Sequence, residues 1–225
     1  MTMYDRLLII DTETGGLDAD NDAILEIAGL VWQRIPGEMS AHRGPGRVLG
    51  RFRFAVADPT GNVSDEALAI NKIDMATHKG LDPKVIMGNI QDFVNTVYYE
   101  NGAYRPEADF GAVLCGHNIG FDVDFFQRLF LLAGLTVKGR DSDWEQMFSH
   151  RTLDTCGIVR YLVLAGVLPL KGASSDEAFR YFGLTPDKRH SALADAEATG
   201  LLLNCLINLQ ASNHHEHKIV TNATS

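Results

Sequence analysis

The sequence predicts an α/β protein built as one domain around a mixed β-sheet, and three patterns carry that prediction. Three β-rich segments come first and are joined by Gly- and Pro-rich chain, which suits antiparallel pairing. Helical stripes then alternate with a short apolar strand, which suits crossover connections. Helix boundaries are marked throughout by capping residues and by Gly stops.

Taken in order, "RLLIID" (Arg6 to Asp11) reads as a first strand and "AILEIAGLVWQ" (Ala23 to Gln33) as a long second one. "RFRFAVA" (Arg51 to Ala57) alternates, with Phe52, Phe54 and Val56 on one face and Arg51 and Arg53 on the other. The stretch between the second and third strands, "RIPGEMSAHRGPGRVLG", reads as a long hairpin connection. A helix is predicted over Asp82 to Tyr99, with Asp82 as cap, Pro83 at the first helical position and a stripe of Ile86, Ile90, Phe93, Val94 and Val97. "AVLCGHN" reads as a short buried strand, and the apolar helix after it stops near Gly134. Asp154 heads a helix from Thr155 to about Gly166, and Ser174 with Glu177 forms a capping box for one ending at Gly183. "SALADAEATGLLLNCLINL" is the last long helix. The domain is expected to span residues 1–210, with 211–225 a flexible polar tail.

Bulk properties narrow the class. A chain of 225 residues, 45% apolar and 22% charged, buries a proper core. No apolar run approaches the roughly 20 residues of a membrane span, and no signal peptide is visible. Three widely separated cysteines, Cys115, Cys156 and Cys205, read as reduced thiols, so a cytoplasmic location is expected. The net charge of −9 argues against non-specific coating of nucleic acid, but not against an enzyme whose acidic site holds cations.

Acids stand where the core gives way to the surface. In "DTETGGL", Asp11 and Glu13 end the first strand; Asp122 opens a helix just after "AVLCGHN"; Asp195 lies early in the last helix. Each sits at a junction with a loop, where side chains can converge over one sheet edge. Four carboxylates in one pocket cannot all stay ionised without cations. Hard divalent ions prefer oxygen ligands, and a pair held about 3.5–4 Å apart can clamp an in-line phosphoryl displacement.

"DTETGGL", "GHNIGFD" and "HSALADA", in that order, resemble the three signature motifs of the DEDDh 3′→5′ exonucleases. The resemblance covers roughly Leu7 to Leu209. It implies a ribonuclease H-like fold with a central mixed five-stranded sheet flanked by helices. Within the family, "DTETGGLDADNDAILEIAGL", "DEALAINKID" and "RTLDT" look like the ribonuclease T branch. By position, Asp11 would bridge two Mg²⁺ ions, with Mn²⁺ able to substitute. Glu13 and Asp195 would hold the first and Asp122 the second. His190 would deprotonate the attacking water, and nucleoside 5′-monophosphates would leave from single-stranded 3′ ends of DNA or RNA. Thr14, Leu17, Glu66, Ile70, Asn118 and Phe121 are the candidate substrate contacts. A homodimer is implied by resemblance alone.

The resemblance carries one geometric expectation. Five helical residues turn about 500°, so His190 and Asp195 cannot share a face if both are helical. His190 is therefore expected in the loop before the helix, with Ser191 as candidate cap. The match departs from ribonuclease T where that enzyme has stacking phenylalanines: Phe121 keeps the ring, but Leu17, Ile70 and His150 replace the others. Arg34, Arg43, Arg47, Arg51 and Arg53 form a candidate basic patch against Glu38. The readings set beside a free-standing exonuclease are a proofreading exonuclease acting with a DNA polymerase, a non-catalytic nucleic-acid-binding module, and an aspartyl phosphatase. The phosphatase motif wants Asp where Glu13 stands.

Overall fold

The structure, a computed structural model, describes residues 4–35, 45–104, 111–187 and 189–222. Five strands make one sheet in the order β3-β2-β1-β4-β5: β1 (Arg6–Thr14), β2 (Ile24–Arg34), β3 (Gly46–Ala55), β4 (Ala112–Gly116) and β5 (Phe148–Asp154). The first three pair antiparallel, whereas β4 runs parallel to β1 and β5 parallel to β4. This is the mixed sheet expected. Strand β3 begins five residues before Arg51, because "GRVLG" pairs with the end of β2 across a register shift at Val31/Trp32. Arg43 and Glu38 of the candidate basic patch lie outside the described residues.

The helices are α1 (Asp65–Asn71), α2 (Pro83–Phe93), α3 (Ile119–Leu132), α4 (Asp143–Met147), α5 (Thr155–Leu164), α6 (Ser175–Phe182) and α7 (Ala192–Asn222). Three of the caps read from sequence, at Asp82, Asp154 and Ser174, are in place. Asp82 accepts from the Lys84 N–H, Asp154 from the Cys156 N–H and Ser174 from the Glu177 N–H. Gly183 ends α6 in the left-handed conformation at φ 68°. The stripe after α2 continues as a π-helical turn over Val94–Tyr98. Helix α7 runs on past Gln210 as far as Asn222, through the segment expected to be a tail. Its stretch Ala192–Leu209 is, among the described residues, the one helix long and apolar enough to cross a bilayer, and half of it is buried within the protein, as in a core helix.

Alternation along β1 decides what each face carries. Leu7 and Ile9 point toward α7, packing with Leu30, Trp32, Val113, Cys115, Ala196 and Leu203. Leu8 and Ile10 point the other way, into the larger core built from α2, α3 and the ring cluster of Phe126, Phe130, Trp144 and Phe148. Asp11 and Glu13 continue the α7 parity, and Thr12 continues the α3 parity. The strand thus turns from apolar to polar without changing register, and it delivers two acids to one side and a hydroxyl to the other.

The glycine pair that follows is a packing requirement. A Cβ on Gly15 would stand 2.2 Å from the Asn62 carbonyl, and one on Gly16 would stand 2.1 Å from Asp22 Oδ2. The chain can leave β1 this tightly only without side chains.

Candidate active site

The acids meet. Carboxylate oxygens of Asp11, Glu13 and Asp195 lie within 4.8 Å of one another. Asp122 lines the same cavity, of about 200 Å³, together with Thr12, His117, Asn118, Phe121, Arg189 and His190. It reaches the site from α3, on the opposite side of β1. Its Oδ1 accepts both the Thr12 N–H and the Thr12 hydroxyl, each at 2.8 Å. The tight trio and the tethered fourth acid are therefore distinct in geometry.

Burial makes this arrangement costly. Glu13, Asp122 and Asp195 are all less than a tenth exposed. Desolvation, then the charges of Asp122, Glu13 and Asp195, raises Asp11 well above the ordinary carboxylate range. Desolvation and then Asp195 and Glu26 push Glu13 up to about 8. Asp122 rises to about 7 through burial, with the two Thr12 hydrogen bonds opposing the shift. Asp195 Oδ1 is buried and has no hydrogen-bond partner. Clustered oxygen donors, mutual repulsion and an orphaned carboxylate oxygen together fit a hard divalent cation.

His190 lies in the loop before α7, as the helical geometry required, with φ 62°. Its N–H donates to Asp195 Oδ2 at 3.1 Å, so the backbone of the histidine is pinned by the acid five residues on. The amide that opens α7, Ala192 N–H, donates to Glu26 Oε1 at 3.0 Å. Glu26 is buried directly across the antiparallel ladder from Glu13, and its other oxygen receives Arg53 at 2.6 Å. Sequence reasoning missed Glu26. Its signal was present: it is the only charged residue in the run Ala23 to Val31.

The turn from β4 into α3 is also held from a distance. Asn118 adopts the left-handed conformation at φ 67°, which Asn tolerates better than most residues. Its N–H donates to Asp154 Oδ1 at 2.8 Å, the same oxygen that caps α5 at the Cys156 N–H. Asp154 is the cap expected, and it also fixes the loop that presents Asp122. His117 bridges the Thr155 hydroxyl and the Ala173 carbonyl, and burial lowers its pKa.

Beside the acids lies a second, mostly apolar cavity of about 460 Å³, sharing Thr12, Glu13 and Phe121 with the first. It gathers Thr14, Leu17, Glu66, Ile70 and Phe121, five of the six candidate substrate contacts; Asn118 lines the acid cavity instead. Leu17 is 87% exposed and Ile70 58%, so both apolar side chains are open to solvent on the wall of this cavity. His150, on β5, lines neither cavity. Three of the hairpin arginines, each about half exposed, make ion pairs: Arg34 with Asp5, Arg51 with Glu197 and Arg53 with Glu26.

A mixed sheet with an acid trio at the end of its central strand, and an apolar cleft alongside, is the layout of a cation-assisted hydrolase. Residues 8–203 match the exonuclease family RNase T, and the chain belongs to that family. Ribonuclease T of Shewanella frigidimarina is 27% identical over 207 residues, covering 89% of this chain and 81% of that protein. The PolC-type DNA polymerase III of Pediococcus pentosaceus is 23% identical over 198 residues, 88% of this chain but only 11% of the polymerase. Among solved structures, E. coli exonuclease I in complex with a dT13 oligonucleotide superposes with a TM-score of 0.67 at 15% identity, covering 94% of this chain and 43% of that one. The fold is thus the ribonuclease H-like arrangement of that exonuclease.

Proposed function

We propose that this chain is a metal-dependent 3′→5′ exonuclease that releases nucleoside 5′-monophosphates from single-stranded DNA or RNA ends. The observation that carries the reading is the trio Asp11, Glu13 and Asp195, each with a carboxylate oxygen within 4.8 Å of the others, beside the buried, unpartnered Oδ1 that Asp195 also carries. Asp11, Glu13 and Asp195 would hold one divalent cation, and Asp122 with Asp11 a second. Bound Mg²⁺, or Mn²⁺ in its place, supplies charge neutralisation and an acidified water at the scissile phosphate. His190 takes the proton of the attacking water on its imidazole. The terminal base lies in the apolar cleft against Leu17, Ile70 and Phe121, with Glu66 and Thr14 at its polar edge and Asn118 beside the acids. The zinc-bound form of E. coli exonuclease I with single-stranded DNA supports both a metal and a single-stranded substrate. Three free cysteines support a reducing, cytoplasmic setting.

A second reading, a proofreading module acting with a polymerase, is favoured by one observation: the PolC-type relatives align this chain to a small part of their length. Digestion of matched DNA and RNA oligomers, single- and double-stranded, with 3′ ends free or blocked, tests the proposal. Wild type should release mononucleotides only from free 3′ ends and only with Mg²⁺ or Mn²⁺. Asp11→Ala and His190→Ala should abolish release while circular dichroism stays unchanged; equal degradation by these variants refutes the site.

A further inference from the structure

Arg189 precedes the histidine of the "HSALADA" motif, and no part of the reaction outlined above uses it. Its guanidinium is nonetheless in the acid cavity. Nη1 stands 2.5 Å from Asp195 Oδ2. Nε and Nη2 both donate to Asp176 Oδ1, at 3.0 and 2.7 Å, and Nη2 also donates to Ser175 Oγ at 2.9 Å. The group lies over the Phe179 ring, 5.3 Å from its centroid, and its side chain is only 18% exposed. The arginine is held on three sides by α6, a helix that contributes no acid to the cluster.

The two oxygens of Asp195 are thereby made unequal. Oδ2 is occupied by Arg189 and the His190 N–H. Oδ1 is buried, unpartnered and part of the carboxyl group that meets Asp11 and Glu13. A carboxylate gripped on one oxygen cannot rotate to bury the other elsewhere. We propose that Arg189, anchored to α6 through Asp176, is a positioning residue: it fixes Asp195 so that Oδ1 alone faces the cation. This rests on the reading of the acid trio as a metal site. Groups that hydrogen-bond a metal ligand from behind set its orientation, and losing one typically weakens metal binding by about 10–100-fold. A lysine keeps the charge but lacks the planar fork that bridges two carboxylates.

Calorimetric titration of the metal-free full chain with Mn²⁺ tests the assignment without reading activity. Wild type should bind, and Asp11→Asn should lose the site. Arg189→Met should bind about 10–100-fold more weakly, and Arg189→Lys should recover only part of that loss. Asp176→Asn, at a carboxylate 58% exposed and outside the cavity, removes the anchor with little risk to folding and should also weaken Mn²⁺. Mn²⁺ binding by Arg189→Met and Asp176→Asn as tight as wild type, or tighter, overturns the positioning role while leaving the metal site intact. Failure of wild type to bind Mn²⁺ overturns both.

Discussion

Glu13 should destabilise the metal-free protein as pH rises toward 8, and Glu13→Gln should reveal it. Burial and neighbouring acids push its carboxyl from an ordinary 4.5 up to about 8. The folded state therefore holds a proton that the unfolded chain releases near pH 4.5. Stability from this proton is full below that value and is lost as pH rises through 8. A shift of 3.5 units at about 1.4 kcal/mol per unit corresponds to about 5 kcal/mol at the alkaline end. Asp11 and Asp122 share the same repulsion, so protons redistribute when Glu13 ionises, and the net effect falls to about 2–5 kcal/mol. For a chain of this size that is a change of about 5–15 °C in melting temperature. Glu13→Gln removes the titration and keeps the shape. In EDTA its advantage over wild type should be under about 1 kcal/mol at pH 5 and about 2–5 kcal/mol at pH 8. Excess Mn²⁺ should reverse the ranking, because only wild type retains all its ligands. Thermal or urea melts at the two pH values, with and without metal, read this directly. Equal stability of the two proteins at pH 8 in EDTA would show that the acids are not crowded as described.

Three further outcomes follow from other parts of the molecule. Thr12→Val removes one of two donors to Asp122 Oδ1, so the Asp122 carboxyl should rise further and the acidic limb of the activity–pH profile should move to higher pH, at a cost of about 1–2 kcal/mol in denaturant melts. Leu17→Ala with Ile70→Ala deletes two exposed side chains of the apolar cleft, so KM for single strands should rise about five- to thirtyfold, for about 1–2 kcal/mol of lost contact, while the melting temperature stays put. Phe126→Ala empties the centre of the ring cluster, whose centroids stand 5.1 to 5.5 Å away at Phe148, Trp144 and Phe130, and should cost about 3–5 kcal/mol with the acid site's metal affinity unchanged in the folded fraction.

What could be read in advance follows the range of the interactions involved. Caps at Asp82, Asp154 and Ser174 were legible because a side chain bonding an amide two or three residues on is a local event. Strands β1, β2 and β4 were legible because each is built around a short run of buried apolar residues. Strand β5 was not read from its residues: "FSHRTLD" has a burial pattern without alternation, since its middle is exposed at the sheet edge. Helix α1 was likewise not read as a helix, being seven residues long with only Asn71 buried.

The sequence by itself determined where the candidate residues stand along the chain. The parity of β1 places Asp11 and Glu13 on one face, and, once the resemblance requires His190 to face Asp195, the five-residue spacing puts it off the helix that bears Asp195. Only the tertiary structure decided how those groups are held. Thr12 tethers Asp122 across 110 residues, Glu26 on β2 caps α7 across 166, and Arg189 joins α6 to Asp195. No local pattern encodes such bonds. Their partners become neighbours only after the sheet and its two helical layers have packed.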